Sequence, residues 1–303
     1  MEKKERNIRV EMFRVVDDAA PFVEVDYMDK YAQEHTGLML LDSGSAGNVL
    51  SSEMADEIGM LCKVEDEKTT LFAFSPETMD TDVVRFSFAL GGRQFSDTFS
   101  LCTQPLPARV EGMKVLGLLG VSFMQQHRLV IDYSDFTLHT SDVNPGNLRI
   151  SDCDFFFPME IGLKHYSVPV ISIKQKGKDL VTLVDTGSFE NMIAEHTLTE
   201  NAFKCQRMDG KHFIYDIIDK VEAEEANIRF KMVSLGENRI FEQVKYDLFS
   251  VLPDNIFTPR EEDCDKNGEQ LPPIELLIGN YFMALEGWTL DFGAKIMYKL
   301  KAA

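Results

Sequence analysis

A short motif occurs twice in this chain, once in each half and each time at the end of an apolar segment. The first copy, residues 38–45, reads LMLLDSGS, and the second, residues 181–188, reads VTLVDTGS. Each copy is typical of a buried strand that ends in Asp-Ser/Thr-Gly-Ser. Because an internal repeat constrains the architecture of a whole chain, the two halves are expected to share one fold.

A second pair of segments supports the duplication. Residues 118–120 read LLG and residues 277–279 read LIG, and in both halves an aspartate follows the glycine by 12 residues, at Asp132 and Asp291. A single Asp-Ser/Thr-Gly triplet is common in turns. Two copies in the same order, each with the same downstream segment, indicate a duplicated unit rather than two unrelated turns.

The pattern between the motifs predicts mostly β structure. Alternating β-branched and aromatic residues precede both motifs, at 21–26 and 168–173, and the pair Gly91-Gly92 predicts a hairpin turn. Helices are expected to be few and short, and the best of them covers residues 52–58.

The domain organisation follows from the length and the repeat. The chain has 303 residues, which corresponds to two domains of about 150 residues. A cluster of Pro, Gly and Asn at 144–147 marks the expected boundary. We therefore predict two β-barrel lobes, 1–146 and 147–303, related by a pseudo-two-fold axis.

The two aspartates of the repeated motif, Asp42 and Asp185, are the candidate catalytic residues. If the lobes pack about an axis through the two turns, the two carboxyls share one site. The pair then retains one proton, because two adjacent carboxylates repel each other. The ionised carboxyl can act as general base on a water molecule while the protonated carboxyl donates to a carbonyl oxygen. The motif thus predicts acid–base hydrolysis by paired aspartates.

Six neighbours of the aspartates are expected to support the pair. The glycines permit a sharp turn that aims backbone N–H groups at each carboxylate. The last serine of each motif is expected to offer its hydroxyl to the carboxylate, and the residue after each aspartate to hydrogen-bond across to the opposite lobe. The six are Ser43, Gly44, Ser45, Thr186, Gly187 and Ser188.

On these residues the sequence resembles the retropepsin-like aspartic proteases, in a bacterial single-chain, tandem-lobe form. The resemblance runs from about residue 21 to residue 300 and rests on the two Asp-Ser/Thr-Gly-Ser turns and the two hydrophobic-hydrophobic-Gly segments. It implies two retropepsin-like β-barrel lobes with Asp42 and Asp185 as the catalytic pair. Retroviral members often carry Arg after the glycine of the second segment, where this chain has Val121 and Asn280.

The resemblance also implies hairpin flaps over the cleft, around residues 72–74 and 213–215. The aromatic residues expected to contact substrate there are Phe72, Phe74, Phe213 and Tyr215. An acidic stretch near the second flap, Asp219 with residues 222–225, is expected to favour cationic peptides.

The predicted function is that of an aspartic endopeptidase that binds an extended peptide or protein substrate between its lobes. The alternative is a non-catalytic peptide-binding or scaffold module on the same duplicated fold. No cofactor and no metal are expected, since the six histidines show no ligand spacing. Because one chain supplies both half-sites, a monomer is expected to suffice.

Composition excludes some partners and leaves the compartment as an expectation. Lys and Arg total 31 against 50 Asp and Glu, a net charge of -19 that disfavours nucleic acid as a partner. No apolar run approaches the about 18 to 20 residues of a membrane-spanning helix. Residues 1–6 lead into no signal-peptide core, so a cytoplasmic location is expected, or a periplasmic or secreted one if a leader has been removed.

Overall fold

The computed structural model describes most of the chain. The described residues are 7–15, 18–58, 62–72, 78–102, 108–141, 153–161, 167–175, 178–200, 203–215, 220–229, 231–233, 240–242, 247–253, 255–259 and 267–301. Over these residues the protein consists of strands with four short helices.

The first half consists of twelve strands and two short helices over the described residues. They are β1 (Arg9–Glu11), β2 (Phe13–Val15), β3 (Asp18–Met28), β4 (Glu34–Leu41), β5 (Val49–Ser51), α1 (Ser52–Ile58), β6 (Cys62–Phe72), β7 (Thr78–Leu90), β8 (Arg93–Cys102), β9 (Arg109–Val110), β10 (Met113–Leu119), α2 (Val121–Gln126), β11 (Leu129–Asp132) and β12 (Thr137–Thr140).

The second half follows the same plan. Its elements are β13 (Cys153–Pro158), β14 (Val170–Gln175), β15 (Lys178–Asp185), β16 (Asn191–Ala194), α3 (Glu195–Glu200), β17 (Lys204–Tyr215), β18 (Lys220–Arg229), β19 (Lys231–Val233), β20 (Ile240–Glu242), β21 (Asp247–Leu252), β22 (Leu276–Gly279), α4 (Asn280–Glu286), β23 (Thr289–Asp291) and β24 (Ile296–Leu300).

The main sheets of the two halves repeat one strand order. The first half has a nine-stranded sheet in the order β2-β3-β4-β10-β5-β8-β7-β6, with β9 on β10, and β3 also pairs with β7 so that the sheet closes on itself. The second half has a seven-stranded sheet in the order β14-β15-β22-β16-β21-β18-β17. Strand for strand, this path corresponds to β3-β4-β10-β5-β8-β7-β6, with the same parallel and antiparallel pairings. The two main sheets therefore share one strand order and one pattern of pairing.

A third sheet joins the two halves. Its six strands have the order β1-β12-β11-β23-β24-β13, so each half contributes three strands. At its centre β11 and β23 are antiparallel, with Ile131 opposite Leu290. Equivalent strands therefore meet at the centre, and the pseudo-two-fold axis passes between them.

Burial explains the apolar runs before the two aspartates. Strands β4 and β15 lie inside their sheets, each with a parallel neighbour on one side. Strands of this kind that are buried on both faces read as continuous apolar segments. Leu38, Leu41, Leu183 and Val184 are all buried. These two strands therefore run through the core of each half and end at the aspartates.

The predicted mostly β, two-lobed fold is confirmed, and α1 covers the residues predicted for the best helix. The expected boundary at 144–147 lies outside the described residues, so the division into 1–146 and 147–303 stays a prediction. Within the described ranges no helix is both long and apolar enough to span a bilayer.

Candidate active site

Two parallel strand pairs position the aspartates. Asp42 follows the end of β4, and its N–H donates to the Leu119 carbonyl oxygen at the end of β10 (3.0 Å). In the second half Asp185 ends β15 and lies opposite Gly279 at the end of β22. Each aspartate is therefore held at the end of a buried strand by its neighbour.

The structure brings Asp42 and Asp185 together. A methyl group on Gly44 would lie 2.5 Å from Oδ2 of Asp185, and one on Gly187 would overlap Oδ1 of Asp42. Each glycine thus leaves the room that the carboxyl of the opposite half occupies.

Backbone N–H groups of the two turns stabilise the carboxylates. The Gly44 N–H donates to Oδ1 of Asp42 (2.8 Å), and the Gly187 N–H donates to Oδ1 of Asp185 (2.8 Å). The Ser188 N–H adds a longer bond to the same oxygen of Asp185 (3.2 Å). The turns therefore orient both carboxyls with matching bonds.

The pKa of each carboxyl in the pair is raised. Burial raises the pKa of both carboxyls, and repulsion from Asp185 raises the pKa of Asp42 further, to well above its ordinary value. The backbone N–H bonds act in the opposite direction without cancelling the effect of burial. Both carboxyls therefore bind a proton more readily than an isolated aspartate does, which favours a pair that retains one proton.

Ser43 and Thr186 hydrogen-bond across to the opposite lobe, as the motif predicts. The Ser43 hydroxyl donates to the Val184 carbonyl oxygen (2.7 Å), and the Thr186 hydroxyl donates to the Leu41 carbonyl oxygen (2.6 Å). These bonds link the strand that ends at one aspartate to the turn that carries the other.

The prediction for the hydroxyls of Ser45 and Ser188 is wrong. The Ser45 hydroxyl donates to the Gly47 carbonyl oxygen (2.8 Å), and the Ser188 hydroxyl donates to the Glu190 carbonyl oxygen (2.9 Å). A serine two residues before a carbonyl in a tight turn can bond that carbonyl, and a hydroxyl has one proton to donate. These serines close the loops after the turns, and the backbone satisfies the carboxylates.

Sequence reasoning missed two asparagines that support both turns. Oδ1 of Asn48 accepts the Gly120 N–H, and Oδ1 of Asn191 accepts the Gly279 N–H, each at 3.0 Å. Both asparagines are buried. A signal existed, because each asparagine lies six residues after its aspartate.

Asn280 stands at one of the positions where retroviral aspartic proteases often carry Arg. Its Nδ2 donates to the Thr186 carbonyl oxygen (3.2 Å), while its counterpart Val121 is buried in the core. This position therefore supports the second turn by a neutral amide rather than by an ion pair.

The predicted flaps fall on two hairpins. Phe72 ends β6, and Tyr215 ends β17, but their side chains, like the whole of Phe74, lie outside what the structure describes. Phe213 lies on β17 with an exposed ring 4.5 Å from Nζ of Lys220. Nε2 of His212, next to it, lies 3.1 Å from Oε2 of Glu190. The second hairpin therefore contacts the loop after Asp185, and the substrate contacts of the four aromatic residues stay predictions.

Two glutamates of the acidic stretch beside the second flap form ion pairs within their own hairpin. Glu222 lies 2.7 Å from Nζ of Lys211, and Glu224 lies 3.1 Å from the Arg207 guanidinium. The preference for cationic peptides expected from the acidic stretch stays a prediction.

Comparison with known proteins bears on the fold. No family model matches the sequence, and no curated protein matches it. Among solved structures, the aspartic proteinase from Irpex lacteus is similar, with a TM-score of 0.54 and 10% sequence identity over 98% of this chain and 98% of that chain. The likeness extends over both whole chains, so this chain has an aspartic-protease-like fold of two lobes.

Proposed function

We propose that this protein is an aspartic endopeptidase that hydrolyses peptide bonds with water activated between Asp42 and Asp185. The observation that carries the proposal is the contact of these two carboxyls, each above the glycine of the opposite turn. We further assign it to a retropepsin-like, bacterial single-chain type with lobes 1–146 and 147–303.

The shared proton supports a complete catalytic cycle. The ionised carboxyl takes a proton from a water molecule as the water oxygen attacks the peptide carbonyl carbon, and the protonated carboxyl donates to the carbonyl oxygen. In the tetrahedral intermediate the C–N bond then breaks as a proton passes from the pair to the leaving nitrogen and one hydroxyl of the intermediate returns its proton to the other carboxyl. The products are a carboxylic acid and an amine, and the pair again holds one proton.

The hairpins β6–β7 and β17–β18 suit an extended peptide as substrate. A peptide in β conformation can pair its backbone with strands of the enzyme and place alternate side chains in pockets. A non-catalytic peptide-binding module is the less favoured alternative, because such a module needs neither the paired carboxyls nor their raised pKa.

Digestion of a diverse peptide library, read by mass spectrometry across pH, tests the proposal. Asp42→Asn and Asp185→Asn are each expected to lower kcat/KM by about 10³-fold or more, because the pair acts as one unit. Asp179→Asn is the matched control, since Asp179 is an exposed aspartate on the same strand as Asp185. Near-normal turnover in either dyad variant sinks the proposal, as does a wild-type protein that cleaves no peptide.

A further inference from the structure

A groove of about 710 Å³ begins at the turn that carries Asp185. Phe189 and Glu190 line it from that turn, and β21 and α4 line it from the same half. Asp18, at the start of β3, lines it from the first half. The volume lies within the range of small-ligand pockets, and both halves contribute to it.

Four large apolar side chains line this groove and remain in contact with water. They are Phe189, Leu248, Tyr281 and Leu285, with 46%, 45%, 40% and 64% of their surface exposed. The rings of Phe189 and Tyr281 lie 5.3 Å apart. Contiguous exposed apolar patches often mark surfaces that bind a ligand or another protein.

The charge of the groove is negative. Asp18, Glu190 and Asp247 line it, and no Lys or Arg is among its described lining residues. Glu190 accepts a hydrogen bond from the Ser250 hydroxyl, and Asp247 accepts one from Nδ2 of Asn191 (2.9 Å). Glu190 also lies 3.1 Å from Nε2 of His212, so these contacts fix the positions of the carboxylates that line the groove.

The carboxylate of Glu190 belongs to the second half alone. Asn48 and Asn191 occupy equivalent positions, so the first-half counterpart of Glu190 is Gly47. The symmetric catalytic turns therefore do not need this charge, which points to a role on one side of the cleft.

We infer that the groove binds a lysine or arginine side chain of the peptide substrate, an inference that rests on the proposed endopeptidase function. Basic side chains combine a long apolar stem with a cationic head. The stem would lie on the apolar wall and the head would reach the carboxylates. An arginine head can also stack on the exposed rings.

A matched peptide series tests the inference. The peptides differ at one position, which holds Lys, Arg, norleucine or Glu, and this position is placed in turn at each residue that flanks the cut. Cleavage is measured at about pH 6, where free carboxylic acids are ionised. At one of these positions, kcat/KM for the Lys and Arg peptides is expected to exceed that for the norleucine peptide by about three- to tenfold. This ratio is expected to fall as the salt concentration rises.

Two variants assign the preference to the groove. Glu190→Gln keeps an acceptor for the Ser250 hydroxyl and is expected to bring the ratio of Lys to norleucine close to one. Glu225→Gln is the control. Nε2 of His212 lies near Glu190, and Nδ1 of the same ring lies 3.7 Å from Glu225, which does not line the groove. This variant is expected to leave the ratio unchanged.

Binding separates this inference from the proposed function. The same peptides are titrated by fluorescence anisotropy against Asp42→Asn protein, with and without Glu190→Gln. Charge-selective binding without any cleavage by the wild type overturns the endopeptidase and keeps the basic-side-chain groove. Cleavage with no preference that depends on Glu190 overturns the groove alone.

Discussion

Ser43 and Thr186 exchange hydrogen bonds across the two lobes. The Ser43 N–H donates to Oγ1 of Thr186, and the Thr186 N–H donates to Oγ of Ser43, both at 2.9 Å. Both residues are fully buried. Since water cannot replace a lost partner there, loss of either hydroxyl would leave buried backbone groups unpaired beside the two aspartates.

Thr186→Val tests this dependence. Valine keeps the shape of threonine but leaves the Ser43 N–H and the Leu41 carbonyl oxygen unpaired. We expect the free energy of unfolding in urea to fall by about 2 to 4 kcal/mol, with a loss of peptidase activity. Thr186→Ser keeps the hydroxyl and should lose less than about 1 kcal/mol. Equal stability of the two variants would show that the exchanged bonds contribute little.

A methyl group at Gly44 should displace the dyad. Its position 2.5 Å from Oδ2 of Asp185 is too close for a carbon–oxygen contact, so the carboxyl must move. We expect Gly44→Ala to lower kcat/KM by about 100-fold or more. Gly47→Ala, in the same loop, meets nothing within 4 Å and should retain activity. Similar activity of the two variants argues against close packing of the turns.

Much of the fold and the central pair could be read from the sequence because the signal is local. The apolar run before Asp42 and Asp185 shows where a buried strand ends, and the repeat shows that there are two. The choice of acceptor by the Ser45 hydroxyl depends on turn dihedrals, which composition does not reveal. The hydrogen bonds of Asn48 reach Gly120 and Asp97, both remote in sequence.

The groove beside Asp185 could not be predicted for a related reason. It combines Asp18 from the first half with Phe189 and Leu285 from the second. Only the packing of the lobes brings these residues together, so no periodicity or spacing marks them. The cationic partners of Glu222 and Glu224 lie on the facing strand, so spacing along the sequence does not reveal them either.

The stability of the protein should depend on pH through the dyad. Burial raises the pKa of Asp42 and Asp185, and mutual repulsion raises that of Asp42 further. The folded state therefore binds a proton more tightly than the unfolded chain does. This stabilisation is complete below the ordinary aspartate pKa of about 4 and is lost as pH rises through the raised value.

Asp42→Asn should remove the part of that loss that comes from Asp42. We expect the variant to unfold at higher urea concentration than the wild type at neutral pH, with a difference that shrinks as pH falls toward about 4. Asp179→Asn, which replaces an exposed aspartate, should show no such trend. A wild type that is more stable than Asp42→Asn at neutral pH contradicts the raised pKa.

Tyr133 carries a buried hydroxyl that its counterpart in the other half lacks. The N–H of Tyr133 donates to the Trp288 carbonyl oxygen and that of Phe292 to the Leu129 carbonyl oxygen, both at 3.0 Å, so the two aromatic residues occupy equivalent places in the central sheet. Burial raises the pKa of Tyr133 well above 10, aided by Asp185, and the hydroxyl finds no acceptor among the described residues.

Removing that hydroxyl should therefore cost nothing. We expect Tyr133→Phe to leave the free energy of unfolding unchanged or to raise it by about 1 kcal/mol, because an unsatisfied buried polar group is lost while the ring stays packed. The reciprocal change, Phe292→Tyr, buries a new hydroxyl at the equivalent position and should lower the free energy of unfolding by about 1 to 3 kcal/mol. Urea denaturation of both variants measures the two effects. A loss of more than about 1 kcal/mol in Tyr133→Phe would mean that the hydroxyl is hydrogen-bonded in the folded protein.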